Sequence, residues 1–286
     1  MKTVVPMSFL DLAQVRRTTG PEMVLQIAGQ RWSRERPNLP GAMRNSTMPF
    51  SEDAASVAAK SAAHQRRTGR PYITLTYAQS LDGAIAARPG HPLALSCQDS
   101  QAMTHALRAG HDAILVGIGT VLADDPSLTV RLAEGRHPQP VILDSRLRFP
   151  AFAKLLRHPT HPPWIITSTS AAAARQTALE EAGATIYRLP AAQNGGVDLL
   201  ALLAMLGEQG IHSLMVEGGA QVITSFLSCR LVDQLIVTIA PVLVGGVRAL
   251  DLRQLPRPNG LPRLQNVTYE RLGDDLVVRG EPNWTV

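Results

Sequence analysis

Chemistry-bearing residues gather at two points of the sequence. The first is Val216-Glu217-Gly218-Gly219-Ala220-Gln221, which reads as the end of an apolar strand, a carboxylate, two glycines and a helix start. Glycines at such a turn let backbone N–H groups approach a phosphate closely, and the helix N-terminus adds unpaired donors and a positive dipole end. A tight strand-to-helix turn would use the same residues, so both readings of Gly218 and Gly219 stand. Glu217, at the end of a buried strand, must be hydrogen-bonded or hold something polar. It can bind a substrate hydroxyl or amine, relay a proton, or tie down a neighbouring loop.

The second point is Asp112 to Pro126, DAILVGIGTVLADDP. It opens as a buried strand, Ala113 to Val116, and breaks at Gly117 and Gly119 into a flexible loop that carries Thr120, Asp124 and Asp125. A strand running into a hydrogen-bonding loop is where an α/β protein tends to place its ligand. Asp124 and Asp125 are adjacent, so in an extended loop they point apart and make a poor acid/base pair. Asp125-Pro126 is a turn signal. Arg108 and Arg131 can each clamp a phosphate. Arg108 equally suits the C-terminal end of a helix, and Arg131 a solvated surface.

These residues need a scaffold, and the pattern supplies one from Pro71 onward. Tyr72 to Tyr77 alternates as a strand. Ser96 with Asp99 resembles a capping box for a helix bearing Met103, Ala106 and Leu107, with Gly110 at its end. Val141 to Leu143, Trp164 to Thr167 and Thr185 to Arg188 read as short strands. Ser170 caps an Ala-rich helix that stops at Gly183, and Asp198 caps a Leu-rich one that stops at Gly210. Ser213 to Val216 is a strand, followed past the glycines by a helix with Val222, Ile223, Phe226 and Leu227. Gln234 to Ile239 is a strand, and Val267 to Gly280 a hairpin about Gly273-Asp274. Strands alternating with helices predict a largely parallel sheet covered on both faces, and the hairpin adds an antiparallel edge.

Residues 1–69 differ. Leu10 to Val15, and a stretch from Pro21 to Ile27, fit an amphipathic helix. Arg31, Arg34 and Arg36 sit in a proline-broken stretch, and Ser51 to Gln65 is Ala-rich and helix-prone. The expectation is an N-terminal extension, 1–69, partly helical or disordered and outside the core, with the catalytic domain at 70–286.

Composition narrows the function classes. The formal net charge is +5 over 286 residues, carried almost wholly by arginine, since the lysines are only Lys2, Lys60 and Lys154. No recognition motif or aromatic platform accompanies that charge, which argues against nucleic acid. Cys97 and Cys229 form no CxxC, and His105 and His111 have no ligand spacing, so no metal is expected. The zinc deaminase signature, GxGxxG, the P-loop and G-x-S-x-G are absent. No apolar run has the length of a membrane span, and the N-terminus has no signal-peptide pattern, so the expected location is cytoplasmic.

Several motifs stand together in order: Ile73-Thr-Leu-Thr-Tyr-Ala-Gln-Ser-Leu-Asp-Gly83, Met103-Thr-His-Ala-Leu-Arg108, His111-Asp-Ala-Ile-Leu-Val-Gly117, Gly119-Thr-Val-Leu-Ala-Asp-Asp-Pro126, Pro140-Val-Ile-Leu-Asp144, Leu214-Met-Val-Glu-Gly-Gly-Ala-Gln-Val222, and Leu231-Val-Asp-Gln-Leu235 with Ala240-Pro-Val-Leu-Val-Gly245. Jointly they resemble the pyrimidine reductases of riboflavin biosynthesis over about Pro71 to Gly280. The resemblance implies a dihydrofolate-reductase-like three-layer α/β fold with a mostly parallel mixed sheet. It implies reduction of 2,5-diamino-6-ribosylamino-4(3H)-pyrimidinone 5′-phosphate by NADPH, and a homodimer. The competing substrate is the deaminated uracil, with a separate deaminase. The wording is nearer the stand-alone fungal and archaeal style; Thr76 and Ala94 stand where bacterial members often carry Lys and Trp, and Pro92 stands at a substrate position. Position by position, the resemblance implies NADPH contacts at Ala78, Thr120, Asp124, Ser145, Gly218, Gly219, Ala220, Gln221 and Val222. It implies substrate contacts at Arg108, Leu128, Arg131 and Glu217, the arginines suiting the ribose phosphate and Glu217 lying nearest the reacting carbon.

Overall fold

The computed structural model describes residues 26–27, 30–31, 54–251 and 262–284. The chain divides into two compact units, 1–47 and 48–286. In the first, β1 (Gln26–Ile27) pairs antiparallel with β2 (Gln30–Arg31). A strand therefore occupies Gln26–Ile27, where a helix through Ile27 was expected. The expected helix at Leu10 to Val15, and Arg34 and Arg36, lie outside the described residues.

The second unit runs α1 (Ala54–Thr68), β3 (Tyr72–Ser80), β4 (Ala84–Ala86), α2 (Gln98–Ala109), β5 (Ala113–Gly117), α3 (Ile118–Asp124), β6 (Gln139–Leu143), β7 (Trp164–Ser168), α4 (Ala173–Glu181), β8 (Thr185–Leu189), α5 (Leu199–Glu208), β9 (Ser213–Glu217), α6 (Ala220–Ser228), β10 (Gln234–Ala240), β11 (Val247–Arg248), β12 (Arg263–Leu272) and β13 (Asp275–Asn283). Nine strands form one sheet in the order β12-β13-β10-β3-β9-β5-β6-β7-β8. From β10 to β8 all pairs are parallel. The closing hairpin, β12 and β13, adds the antiparallel edge against β10, turning at Gly273-Asp274 as expected.

The central strands are apolar nearly end to end because both their faces are covered. One face, with Ile73, Leu75, Leu115, Leu214 and Val216, packs on Leu202 and Leu206 of α5 and Ile223 and Phe226 of α6. On the other, Ile114, Val116, Ile142 and Ile165 pack with Ile118 and Val121 of α3 and Leu179 of α4. Met215 and Ile236 on that second face meet Met103 and Leu107 of α2. The chain leaves β5 through α3 toward β6 and leaves β9 through α6 toward β10. Neighbouring strands thus send their helices to opposite faces and opposite directions, which opens a crevice at their C-terminal ends.

Four local differences from expectation have physical causes. The residues after Gly117 form a helix, α3, in place of a flexible loop. Gly119 disfavours it by about 1 kcal/mol relative to alanine, but burial of Ile118 and Val121 outweighs that cost. Helix α2 is capped at Cys97 rather than Ser96; the Cys97 N–H donates to Asp275 Oδ2 at 2.8 Å, tying the helix start to the hairpin. Helix α4 begins after Ala172, and Ser170 bonds Ser168 Oγ instead (2.7 Å). Helix α1, expected in the extension, packs on β3 and β9 within the second unit: Val57, Ser61 and His64 are buried. Behind it Arg70 makes two hydrogen bonds, 2.7 and 2.8 Å, to Asp233, whose Oδ2 also accepts from the Ile73 N–H. The Asp198 cap of α5 stands as expected, accepting from the Leu200 and Ala201 N–H groups.

Candidate active site

Strand register places Thr76, at the middle of β3, beside Glu217, the last residue of β9, on the sheet face that α2 covers. Residues three and four apart share a helix face, so Gln101, Thr104, His105 and Arg108 form one polar stripe of α2 next to the apolar stripe of Met103 and Leu107. The stripe, with Thr76, Tyr77, Ala78, Ser96, Arg131, Glu217 and Thr238, lines a cavity of about 270 Å³. Of the expected substrate residues, Arg108, Arg131 and Glu217 are thereby brought together. Ala78, expected at the cofactor, is in the same wall.

Arg108 and Glu217 face each other fork to fork. Nε donates to Oε2 at 2.9 Å and Nη2 to Oε1 at 2.6 Å, while Nη1 donates to the Thr129 carbonyl at 3.2 Å. Paired this way, both charges tolerate a largely buried position. Three of the five guanidinium N–H groups are thus taken by Glu217 and Thr129, and the second N–H of Nη1 and of Nη2 is left over for a ligand. Glu217 keeps lone pairs for a ligand donor. Arg131 is the more available cation: Nη1 donates to Thr129 Oγ1 at 2.8 Å, and its other side-chain donors meet no protein acceptor among the described residues.

His105 lies between them. Its Nδ1 accepts from the Arg131 backbone N–H at 2.9 Å. Burial foremost, then the charges of Arg108 and Arg131, bring its pKa down to about 4 against the opposing pull of Glu217. It is therefore neutral at physiological pH. His111 is wholly buried, with Nδ1 on the Leu107 carbonyl (2.6 Å) and Nε2 on Thr74 Oγ1 (2.9 Å), and pins α2 to β3.

The second centre lies across the crevice. Gly219 is the N-cap of α6 in extended conformation, and no side chain caps it, so the first N–H groups of the helix stay open. Val222 fills the space beneath: a Cβ on Gly218 would meet it at 2.7 Å and one on Gly117 at 2.8 Å. Thr120 Oγ1 stands 3.7 Å from where a Gly219 Cβ would lie. Thr120, Gly218, Gly219 and Val222 are thus one cluster, followed on α6 by Ala220 and an exposed Gln221. Ser145 sits just past β6, where its carbonyl accepts from Ser168 Oγ (2.9 Å). Asp124 ends α3 and is exposed, with partial burial raising its pKa.

Asp125 comes out as the turn residue expected, and Leu128 is buried. Asp125 adopts the left-handed region (φ 41°) and accepts from the Lys154 N–H at 2.9 Å, which makes it a turn residue. Leu128 also has positive φ, 52°, but its side chain is only 2% exposed and belongs to the apolar core. Any ligand contact at Leu128 is left to its backbone. Pro92 and Ala94 are exposed. Thr104 and His105 were not foreseen as site residues; their spacing from Arg108 along α2 carried the signal.

A family model described as RibD C-terminal domain matches residues 71–278. The 2,5-diamino-6-ribosylamino-4(3H)-pyrimidinone 5′-phosphate reductase of Debaryomyces hansenii is 38% identical over 192 residues, covering 62% of this chain and 78% of that protein. The riboflavin biosynthesis protein RibD of Bacillus amyloliquefaciens is 34% identical over 223 residues, covering 77% of this chain and 59% of that protein. The chain therefore spans about three fifths of the length of that bacterial relative. Among solved structures, the riboflavin biosynthesis reductase Rib7 of Saccharomyces cerevisiae matches with a TM-score of 0.61 at 30% identity, over 76% of this chain and 91% of that one.

Proposed function

The chain belongs to the RibD C-terminal domain family, and from that premise we propose that it is a reductase of riboflavin biosynthesis. In this reading it uses NADPH to convert the ribosylamino side chain of 2,5-diamino-6-ribosylamino-4(3H)-pyrimidinone 5′-phosphate to ribitylamino. The observation that carries the reading is the juxtaposition at the crevice: a polar cavity containing the Arg108–Glu217 pair beside a glycine turn that opens the N-terminus of α6.

The residues present fit the cofactor. Uncapped N–H groups of α6 and the open side of Gly219 suit the phosphates of a dinucleotide. In this reading Thr120, beside Gly219, and Asp124, Ser145 and Ala78 are the further cofactor contacts. When bound, NADPH supplies a hydride to C1′ of the side chain in its ring-opened imine form. The chain's own part is orientation. Arg131 meets the 5′-phosphate. Glu217, held in place by Arg108, accepts from a hydroxyl or amine of the opening sugar and fixes C1′ in the crevice.

Purified protein incubated with NADPH and either the diaminopyrimidinone or the deaminated uracil compound, following loss of NADPH absorbance, tests this. Turnover of the first is expected. Turnover of the uracil compound alone would move the substrate assignment, and turnover of neither would overturn it. A cytoplasmic, homodimeric enzyme completes the proposal. Strand β10 is interior to the sheet; beyond it Leu81, Val242 and Leu243 are exposed and offer an apolar surface to a second copy. Sedimentation of the purified chain reads the dimer.

A further inference from the structure

We propose that His105 is a substrate-binding residue, a neutral imidazole whose Nε2–H donates to an uncharged oxygen, a carbonyl or hydroxyl, of the molecule in the cavity. This rests on the reductase reading above and gives the cavity a donor that the family resemblance did not assign.

Three observations carry it. First, the tautomer is set from behind. Nδ1 is taken up as an acceptor by the Arg131 backbone N–H at 2.9 Å, so the proton of a neutral ring resides on Nε2. Second, that N–H meets no protein acceptor among the described residues, although the residue is only 5% exposed and its ring lines the cavity. A donor that opens onto the cavity without a protein partner is available to a ligand or solvent acceptor. Third, the ring's neighbours restrict what it can bind. Arg108 and Arg131 both oppose a positive charge on the ring, while Glu217 is close enough to favour one. Burial and the arginines prevail, so His105 offers a directional donor without charge. The phosphate belongs to Arg131; the imidazole suits a neutral acceptor. With Glu217 as acceptor and His105 as donor, a polar ring or an opened sugar is gripped by contacts of both polarities.

The bland alternative is that His105 only holds the backbone at Arg131. Two substitutions separate the roles. In His105→Asn the amide oxygen can replace Nδ1 and keep the Arg131 contact, but nothing reaches the cavity. In His105→Gln the amide nitrogen can replace Nε2 and keep the donor, but the Arg131 N–H is abandoned. Binding of the diaminopyrimidinone 5′-phosphate, measured calorimetrically, is expected to weaken about tenfold in the Asn variant and less than about threefold in the Gln variant, the worth of one neutral hydrogen bond. NADPH affinity stays unchanged in both. The opposite order, equal loss in both, or no loss in either overturns the role of His105. Wild-type turnover is read separately. A wild type that binds the compound with the expected split between variants, yet oxidises no NADPH, overturns the reductase reading and leaves the donor standing. A wild type that does not bind it overturns both.

Discussion

Arg108 and Glu217 stand 109 positions apart in the chain and meet through two side-chain hydrogen bonds of 2.9 and 2.6 Å. The end of α2 is thereby fastened to the end of β9 at the point where the cavity opens into the crevice. Glu217→Gln removes one charge and leaves Arg108 in a largely buried site. We expect a loss of stability of about 1–3 kcal/mol, discounted from fully buried pairs because the carboxylate is partly exposed. We also expect kcat to fall by about a hundredfold at saturating substrate. Wild-type turnover in this variant would remove Glu217 from the mechanism.

Arg131 and Arg108 should respond differently to truncation. Arg131→Ala is expected to raise KM for the phosphorylated substrate by about tenfold or more, with kcat nearly unchanged, because its donors are available for uniform binding of a phosphate. Arg108→Ala should lower kcat and melting temperature together, since it strands Glu217. Initial-rate kinetics on both variants decide the matter; the reverse pattern would return the phosphate to Arg108.

The Gly218 backbone is fitted to Val222. Gly218→Ala places a methyl 2.7 Å from that side chain and should destabilise the protein by about 1–3 kcal/mol through overpacking. NADPH binding should weaken with it, as the α6 N-terminus is displaced. Adding Val222→Ala is expected to restore part of both losses. Thermal melts and NADPH titrations of the single and double variants check this, and additive losses would show that the clash is not the cause.

Acid should destabilise the protein before its carboxylates titrate. Burial foremost holds both His105 and His158 to about 4, from an ordinary 6.5, and lowers His64 as well. The unfolded chain then binds more protons than the folded one as pH falls below about 6.5, so stability declines from there toward about 4. The depressed Asp82, at about 2 through its bonds from Ser80 Oγ and the Val244 and Gly245 N–H groups, gives up its contribution only below 3.8. Burial raises Asp144, which works in the opposite direction. Melting temperatures across this range should drop, and His158→Gln should flatten the slope; an unchanged slope would exclude His158 as a contributor.

Much of this architecture was legible because chemistry and pattern coincided. Apolar strands ending in glycine identified β5 and β9, and Asp198 announced α5. Gly273-Asp274 marked the hairpin turn. Elsewhere tertiary packing overrode local signals. Gly119 suggested a loop, but Ile118 and Val121, three apart, had a core to enter. Ser96 and Ser170 looked like caps, but Asp275 and Ser168 drew the local hydrogen bonds elsewhere. In the site, Glu217, Gly218 and Gly219 were visible as a strand-to-helix turn. His105 was read for metal spacing and set aside, because its meaning depends on Arg131, 26 positions on, whose backbone fixes its tautomer.

The anchoring of α1 has a practical side. The family-matched span begins at residue 71, yet Val57, Ser61 and His64 are buried and Arg70 grips Asp233. A protein shortened to the recognised span would expose the sheet surface those side chains cover and leave the Asp233 carboxylate without its guanidinium. Family likeness and packing therefore draw different boundaries here, and packing takes in α1.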